Sequence, residues 1–409
     1  MLLTIVVFIV LLVFIIESTL DYLNQSRADA PVPQEIADLY KLDERDRSIA
    51  YGSEKYRLGL LSSTISTALL ILALTQGWLA SLDNWVREIT SQPILISLIF
   101  IAALSAISWA IDLPFGLYSI FSIEARYGFN KVTAKTFLAD LVKGTLVSIS
   151  IGGPILALVI WLYQTFTDRF WLYGWLVVAL FSLVMFMFGT RVILPLFNKL
   201  TPLAEGELKT AIDDYCQTQG YSLTRLFVMD GSKRSTKANA FFSGLGKSKT
   251  IVLFDTLIEK LSTKEIVAVL AHEIGHYRRK HTLAMFVASN LQSLAIFALF
   301  GWALSYDGLS TSLGAQQPSF HLSAITFFIL LGPLQVALGL LNNSLSRRNE
   351  YDADQFAVET YSGKPLASGL RKISKDSLAN LTPHPWYVAF HYTHPPLALR
   401  LEALKVSGK

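Results

Sequence analysis

Seven apolar stretches, near 1–16, 58–80, 93–120, 144–166, 170–196, 283–305 and 319–341, dominate the chain. Each is long enough, or nearly so, to cross a hydrocarbon core that needs about 20 helical residues. Lipid offers no water to backbone N–H and C=O groups, so such stretches must close their own hydrogen bonds as helices. The composition agrees: 52% of the 409 residues are hydrophobic and only 16% are charged, outside the range of a soluble globular domain. Thr167, Asp168 and Arg169 alone join the fourth and fifth stretches, which makes them a tight hairpin, and the connection between the last two has no Lys or Arg. The first stretch also admits a cleaved leader with Ala28-Asp29-Ala30 as a loose cleavage site. No basic segment precedes Leu2, so a retained anchor is the expectation.

Basic residues in the loops set the orientation. The loop after the first span carries Arg27, Lys41, Arg45, Arg47, Lys55 and Arg57, and the loop after the third carries Arg126, Lys131, Lys135 and Lys143. Those after the second and fourth hold only Arg87 and Arg169. The N-terminus is therefore expected outside, and the polar block 197–282 is expected in the cytoplasm with the segment after Asn342. A net charge of +4 spread over this length gives no concentrated basic face, so nucleic acid is not an expected partner. The single cysteine, Cys216, excludes an internal disulfide and a thiolate metal site.

The chemistry lies in the two polar blocks. Ser262 and Glu265 form a capping box, and Leu261 with Ile266 a hydrophobic staple, so a helix starts there and runs through an apolar stretch into Ala271-His272-Glu273-Ile274-Gly275-His276. His272 and His276 are four residues apart and share one helix face, so both imidazoles can bind one ion. Glu273 can reach the remaining coordination position and take a proton from water there. Such a pentapeptide also arises by coincidence on surface helices. The cap, the otherwise apolar helix and the scarcity of histidine, seven in 409, argue for function. Gly275 lowers helix propensity by about 1 kcal/mol relative to Ala, which points to close backbone packing beside the site.

A catalytic zinc site of this kind needs a third protein ligand and an open fourth position. Glu350 and Asp354, in Arg347-Arg348-Asn349-Glu350-Tyr351-Asp352-Ala353-Asp354, again stand at i, i+4 just beyond the seventh span. Glu350 can ligate while Asp354 reaches the free nitrogen of a ligand histidine. Spacing alone equally allows a solvated charged helix.

Taken together these segments resemble the Ste24-type CAAX prenyl proteases, membrane zinc endopeptidases of family M48. The resemblance is carried by Leu113-Pro114-Phe115-Gly116-Leu117-Tyr118 and Ile123-Glu124-Ala125-Arg126-Tyr127-Gly128-Phe129-Asn130-Lys131 in the first half. In the second half it is carried by Asn239-Ala240-Phe241-Phe242-Ser243-Gly244, Ile251 to Leu257, the metal helix, and His394-Pro395-Pro396 with Arg400. It implies one Zn2+ per chain on His272, His276 and Glu350, with Glu273 as general base and acid and Asp354 behind a ligand. It also implies that His394 stabilises the oxyanion or holds substrate, that Arg400 braces the acidic ligands, and that a large chamber lies within the membrane helices. From its neighbours alone, a histidine before two prolines is an unassigned loop residue.

Asn239, Ala240 and Phe241 also read as a short strand at a sheet edge, where an extended peptide can add as a further strand and the Asn239 side chain can clasp its backbone. An ordinary edge blunted by Lys237 and Lys247 fits the same residues. Asp112 interrupts the third span and faces a polar cavity or ends a shorter helix; Asn290 and Gln292 suggest a water-lined interior. His281, His321, His384 and His391 have no ligand-type spacing and are taken as structural. Segment 204–219 reads as an amphipathic helix leading into a strand at Leu226–Met229.

The expectation is a mainly α membrane protein of about seven transmembrane helices with a zincin-like α+β metallopeptidase domain. Its organisation is a five-span membrane domain over 1–196, a catalytic block at 197–282, two spans at 283–342 and a second catalytic block at 343–409. The expected partners are the lipid bilayer and a peptide or protein substrate, with C-terminal prenylation implied by the resemblance, in a bacterial inner membrane or the endoplasmic reticulum with the catalytic side cytoplasmic. General membrane-protein quality control, a catalytically silent scaffold, a channel or transporter, and a site-2-type protease are the alternatives. The last is disfavoured because the metal helix begins in a polar stretch.

Overall fold

The computed structural model of the chain describes residues 1–221, 225–243 and 250–407. The first half is helical: α1 (Leu2–Ser26), α2 (Leu42–Thr75), α3 (Trp78–Ile89), α4 (Pro93–Tyr118), α5 (Ala134–Val147), α6 (Gly153–Thr165), α7 (Phe170–Val192) and a short α8 (Leu194–Phe197). Then come β1 (Leu200–Pro202), α9 (Glu207–Thr218), β2 (Leu226–Met229), β3 (Ala240–Ser243), β4 (Thr250–Phe254), α10 (Asp255–Lys260) and α11 (Thr263–Arg278). The chain ends with α12 (His281–Ala303), α13 (Gly308–Thr311), α14 (Phe320–Leu330), α15 (Gly332–Thr360), α16 (Gly363–Asp376), α17 (Pro385–His391) and α18 (Leu397–Ser407).

Six helical rods are long and apolar enough to cross a membrane, and α14 with α15, bent by 56°, makes a seventh. π-helical turns at Ser119–Glu124 and Ser148–Gly152 prolong α4 and fuse α5 to α6. The span limits differ from the apolar pattern because a helix does not stop where its apolar stretch does. The second begins at Leu42, in a charged segment, and stops at Thr75, where Gly77 takes φ +69 and opens the separate α3. The fourth begins at Ala134, with Thr133 Oγ1 accepting from the Thr136 N–H at 3.1 Å. The seventh is broken at Leu331 rather than continuous over 319–341, since Pro333 cannot donate to the turn before it. α15 then runs without a break through the expected boundary at 342/343 and carries both Glu350 and Asp354.

Packing passes round a ring from α1 through α2, α4, α6, α7, α12 and α14 back to α1. In a solid bundle each helix would bury a broad face. Here between none and 17% of the apolar window of each of the six rods is buried, so the rods leave most of their apolar surface uncovered by protein. At one end of the ring two apolar clusters pack the helices together, one around Val6, Leu74, Phe100 and Leu322 and the other around Val159, Phe170, Phe300 and Phe327. A buried polar knot joins the same end: His321 Nε2 lies 2.8 Å from Asp83 Oδ1, its Nδ1 lies 3.0 Å from Ser97 Oγ, and Arg87 Nε donates to Asp83 at 2.8 Å. Asp112 is exposed, and α4 continues past it to Tyr118, so it does not end a shortened helix. Asn290 and Gln292, both half-buried, bridge helices: Asn290 Oδ1 accepts from Ser182 Oγ of α7 at 3.1 Å, and Gln292 Oε1 accepts from Asn342 of α15 at 3.2 Å.

The other end of the ring carries both polar blocks, which share one core. Its sheet has the order β1-β2-β4-β3, with β2 and β4 parallel and the outer pairs antiparallel. Ile251, Leu253 and Leu257 on one side and Ile266, Leu270 and Ile274 of α11 on the other fill the centre of that core. The expected helix near 204–219 is α9, and the expected strand is β2. Gly244 and Lys247 lie outside the described residues.

Candidate metal centre

α11 is fixed at its start by the expected cap. Ser262 N–H donates to Glu265 Oε2 at 2.8 Å, and the same carboxylate accepts from Ser368 Oγ at 2.6 Å and Lys372 Nζ at 2.7 Å, tying the cap to α16. The helix meets α15 where both are narrow. A Cβ on Gly275 would stand 3.2 Å from the Cα and O of the fully buried Ala353, so the glycine sets how closely the two helices approach. That approach brings Glu350 to the histidines.

His272 Nε2 and His276 Nε2 are 3.2 Å apart, and they lie 3.4 and 3.1 Å from the two Glu350 oxygens. One ligand atom from each residue falls within 4.8 Å of the others, the geometry that can hold a metal ion. The donor set fits one: two imidazoles and a carboxylate, with Glu350 Oε2 buried and without a hydrogen-bond partner. Asp354 Oδ1 sits 2.8 Å from His272 Nδ1, orienting the ring so that Nε2 faces the centre. Arg400 donates to Asp354 at 2.6 and 2.8 Å and stands 3.6 Å from Glu350, braced between the two acids. Burial alone would depress His272, yet Asp354 and Glu350 hold its imidazole up at about 9, so the surroundings favour positive charge at this point. Burial pushes the Glu273 carboxyl above the usual carboxylate range, against the pull of His272 and His276, which suits a proton acceptor.

His394 reaches the centre from the segment before α18, with Nε2 3.3 Å from Glu350 Oε1 and its side chain 62% exposed. β3 is the outermost strand of the sheet and adjoins α11. Phe254 N–H donates to Asn239 O, so the alternation of an antiparallel ladder turns the N–H and C=O of Ala240 and Phe242 toward the open edge. The Asn239 carboxamide folds back onto its own strand, accepting from the Ala240 N–H at 2.9 Å.

Sequence spacing missed His281. Its Nδ1 lies 3.2 Å from His276 Nδ1 and its Nε2 3.0 Å from Asp352 Oδ2, so it backs one ligand imidazole as Asp354 backs the other. The contact depends on Lys280, at φ +61, turning the chain between α11 and α12, a conformation that a lysine does not advertise. The only available signal was Asp352 beside Glu350. His321 belongs to the polar knot, His384 caps α17 by accepting from the Trp386 N–H at 3.2 Å, and His391 pairs with Glu17 at 3.3 Å, all structural.

Residues 21–199 match the family model of the CAAX prenyl protease N-terminal, five membrane helices, and residues 202–407 match that of peptidase family M48. The chain is 36% identical to a CAAX prenyl protease 1 homolog of Oryza sativa subsp. japonica, over 97% of this chain and 95% of that one. It is 39% identical to CAAX prenyl protease 1 of Saccharomyces cerevisiae, over 75% and 72%. Its fold superposes on the crystal structure of S. mikatae Ste24p with a TM-score of 0.93, at 31% identity and 99% coverage of both chains.

Proposed function

The chain belongs to the CAAX prenyl protease group of peptidase family M48, a family of membrane metallopeptidases, and from that premise we propose that it hydrolyses peptide bonds near a C-terminal prenylated cysteine. One observation carries the reading: His272, His276 and Glu350 converge at one point, with Asp354 and Arg400 behind them and an open strand edge beside them.

His272, His276 and Glu350 would hold one zinc ion per chain. When bound, zinc lowers the pKa of water in its open position and polarises the scissile carbonyl. The substrate lies along β3 as an added strand, hydrogen-bonded to the outward backbone groups of Ala240 and Phe242, while the Asn239 carboxamide swings from the Ala240 N–H to the peptide. Phe241 presents its side chain beside the strand. Glu273 takes the proton from the attacking water and delivers it to the leaving amine. His394, exposed and 3.3 Å from Glu350 Oε1, donates to the developing oxyanion. Asp354 and Arg400 keep His272 and Glu350 in place.

In this reading the five-span domain over 1–196 and the spans at 283–342 carry a catalytic unit assembled from 197–282 and 343–409, whose residues share one core and are joined to the seventh span through α15. The loops rich in Lys and Arg support a cytoplasmic position for the catalytic end. A second reading, quality control of unprenylated membrane substrates, is favoured by the strand edge itself, because backbone pairing reads no sequence. Cleavage of a farnesylated and an unprenylated CAAX peptide by detergent-purified protein and its Glu273→Gln variant tests both. The proposal expects the wild type to cut the farnesylated peptide faster and the zinc-loaded variant to cut neither. Equal rates on both peptides favour the second reading, and equal activity of the variant overturns the mechanism.

A further inference from the structure

Between β2 and β3 the chain leaves the sheet and lies against the membrane helices. Its backbone partners belong to the Ile123–Lys131 motif, most of which lies past the end of the third span and has no part in the metal centre. Asn130 and Ser235 form an isolated antiparallel bridge, Lys131 N–H donates to Arg234 O at 3.0 Å, and Thr236 N–H donates to Phe129 O at 3.2 Å. The motif is shaped to receive this loop: Gly128 takes φ +79, and the N–H groups of Phe129 and Asn130 both donate to Glu124 O, at 2.8 and 3.1 Å.

Side chains complete the seat. Lys237 Nζ is 3.3 Å from Glu124 Oε2 and 3.1 Å from the Tyr51 hydroxyl, and it lies 4.4 Å from the centre of the Phe129 ring. Tyr51 donates to the other Glu124 oxygen at 2.6 Å. Three residues earlier, Arg234 makes two 2.9 Å bonds to Asp140 of α5 and donates to Asn198 Oδ1 at 2.6 Å and Phe197 O at 2.7 Å. Lys237 stands two residues before Asn239, and its carbonyl accepts from Thr256 Oγ1 at 3.0 Å, just past the end of β4. The seat thus lies three residues before Ala240, the first residue of a four-residue strand that, among the described residues, pairs with a strand on one side only.

We propose that Glu124 and Lys237 are positioning residues: through this seat the membrane domain sets where the open edge of β3 stands relative to His272 and Glu273, and so which bond of a bound peptide meets the centre. The inference rests on β3 as the strand that receives substrate. A charge-assisted contact half-sheltered from water and backed by a ring face holds a fixed distance well. A strand displaced by about 1 Å presents the wrong geometry for attack, with a penalty of about a hundredfold.

The test compares full-length wild type with Lys237→Met and Lys237→Arg on whichever CAAX peptide, farnesylated or not, the wild type cuts. kcat and KM are measured separately, products by mass spectrometry, and zinc content and thermal midpoint alongside. Lys237→Met is expected to lower kcat/KM by about ten- to a hundredfold. KM should rise and products cut at neighbouring bonds should appear, while zinc and midpoint stay at wild-type values and Lys237→Arg restores most of the activity. Ala240→Pro, which removes an N–H on the open edge and no bond to β4, tests the strand itself. Activity lost in Ala240→Pro but normal in Lys237→Met overturns the positioning role alone, whereas normal activity in Ala240→Pro overturns the strand reading with it. If Lys237→Met does not fold, Glu124→Gln replaces it. Activity that falls there only together with zinc content marks the pair as a structural prop and overturns the proposal.

Discussion

Asp354→Asn perturbs the frame behind the metal centre with almost no change of shape. The carboxylate is buried, accepts from Arg400 at 2.6 and 2.8 Å, and lies 2.8 Å from His272 Nδ1. An asparagine turns one of its two acceptors into a donor, and both partners already donate. Arg400, itself buried, then keeps only the looser approach of Glu350 at 3.6 Å as an ion pair among the described residues. Removing one partner of a buried ion pair costs about 3–5 kcal/mol, because the other charge stays desolvated. Removing the carboxylate behind a ligand imidazole weakens metal binding by about 10–100-fold. Thermal unfolding of the metal-free protein in detergent reads the first effect, and zinc competition with a fluorescent chelator reads the second. The double variant Asp354→Asn/Arg400→Met should be more stable than Asp354→Asn alone, since it also removes the stranded cation. A single variant with wild-type zinc affinity and wild-type metal-free stability would refute the role of this pair.

Two further outcomes follow from packing and charge. Gly275→Ala gains about 1 kcal/mol of helix propensity but drives a methyl to 3.2 Å from the Ala353 backbone, an overpacking that costs about 1–3 kcal/mol. Zinc affinity should therefore fall while stability changes little, and titration with zinc checks it; unchanged affinity means that α15 yields freely. Burial would raise the Glu265 carboxyl, but hydrogen bonds from Lys372, Ser368 and Ser262 outweigh it and hold it down at about 2. Its stabilisation is complete above about pH 4.5 and is lost as the pH falls toward 2. It amounts to on the order of 2 kcal/mol once the 47% exposure of the Lys372 side chain is allowed for. The gap in thermal midpoint between wild type and Glu265→Gln should close over that range, and a gap independent of pH would contradict the assignment.

What the sequence discloses of this protein follows the range of the forces involved. The spans are legible because lipid demands about 20 apolar residues at a time, and α11 is legible because its cap, its apolar face and its i, i+4 ligands are all local. The pairing of Glu350 with those histidines also showed at short range, as an acidic i, i+4 pair, although spacing could not tell a ligand from a solvated helix. Helix ends were harder: α2 and α5 extend through charged residues that helices tolerate outside lipid, and the break at Leu331 needs Pro333 to be weighed against an unbroken apolar run. Contacts between distant segments were invisible. His281 reaches His276 only through a left-handed Lys280, and Lys237 meets Glu124 across 113 positions of chain.

X-ray absorption at the zinc edge, made together with a count of zinc per chain on the purified protein and on Glu350→Gln, bears most directly on the metal centre. One zinc per chain is expected, with two imidazole nitrogens at about 2.0–2.1 Å and oxygen ligands at similar distance, and an occupancy that drops sharply in the variant. A protein that holds no zinc, or one whose zinc environment lacks imidazole and is the same in Glu350→Gln, would contradict a centre built from His272, His276 and Glu350.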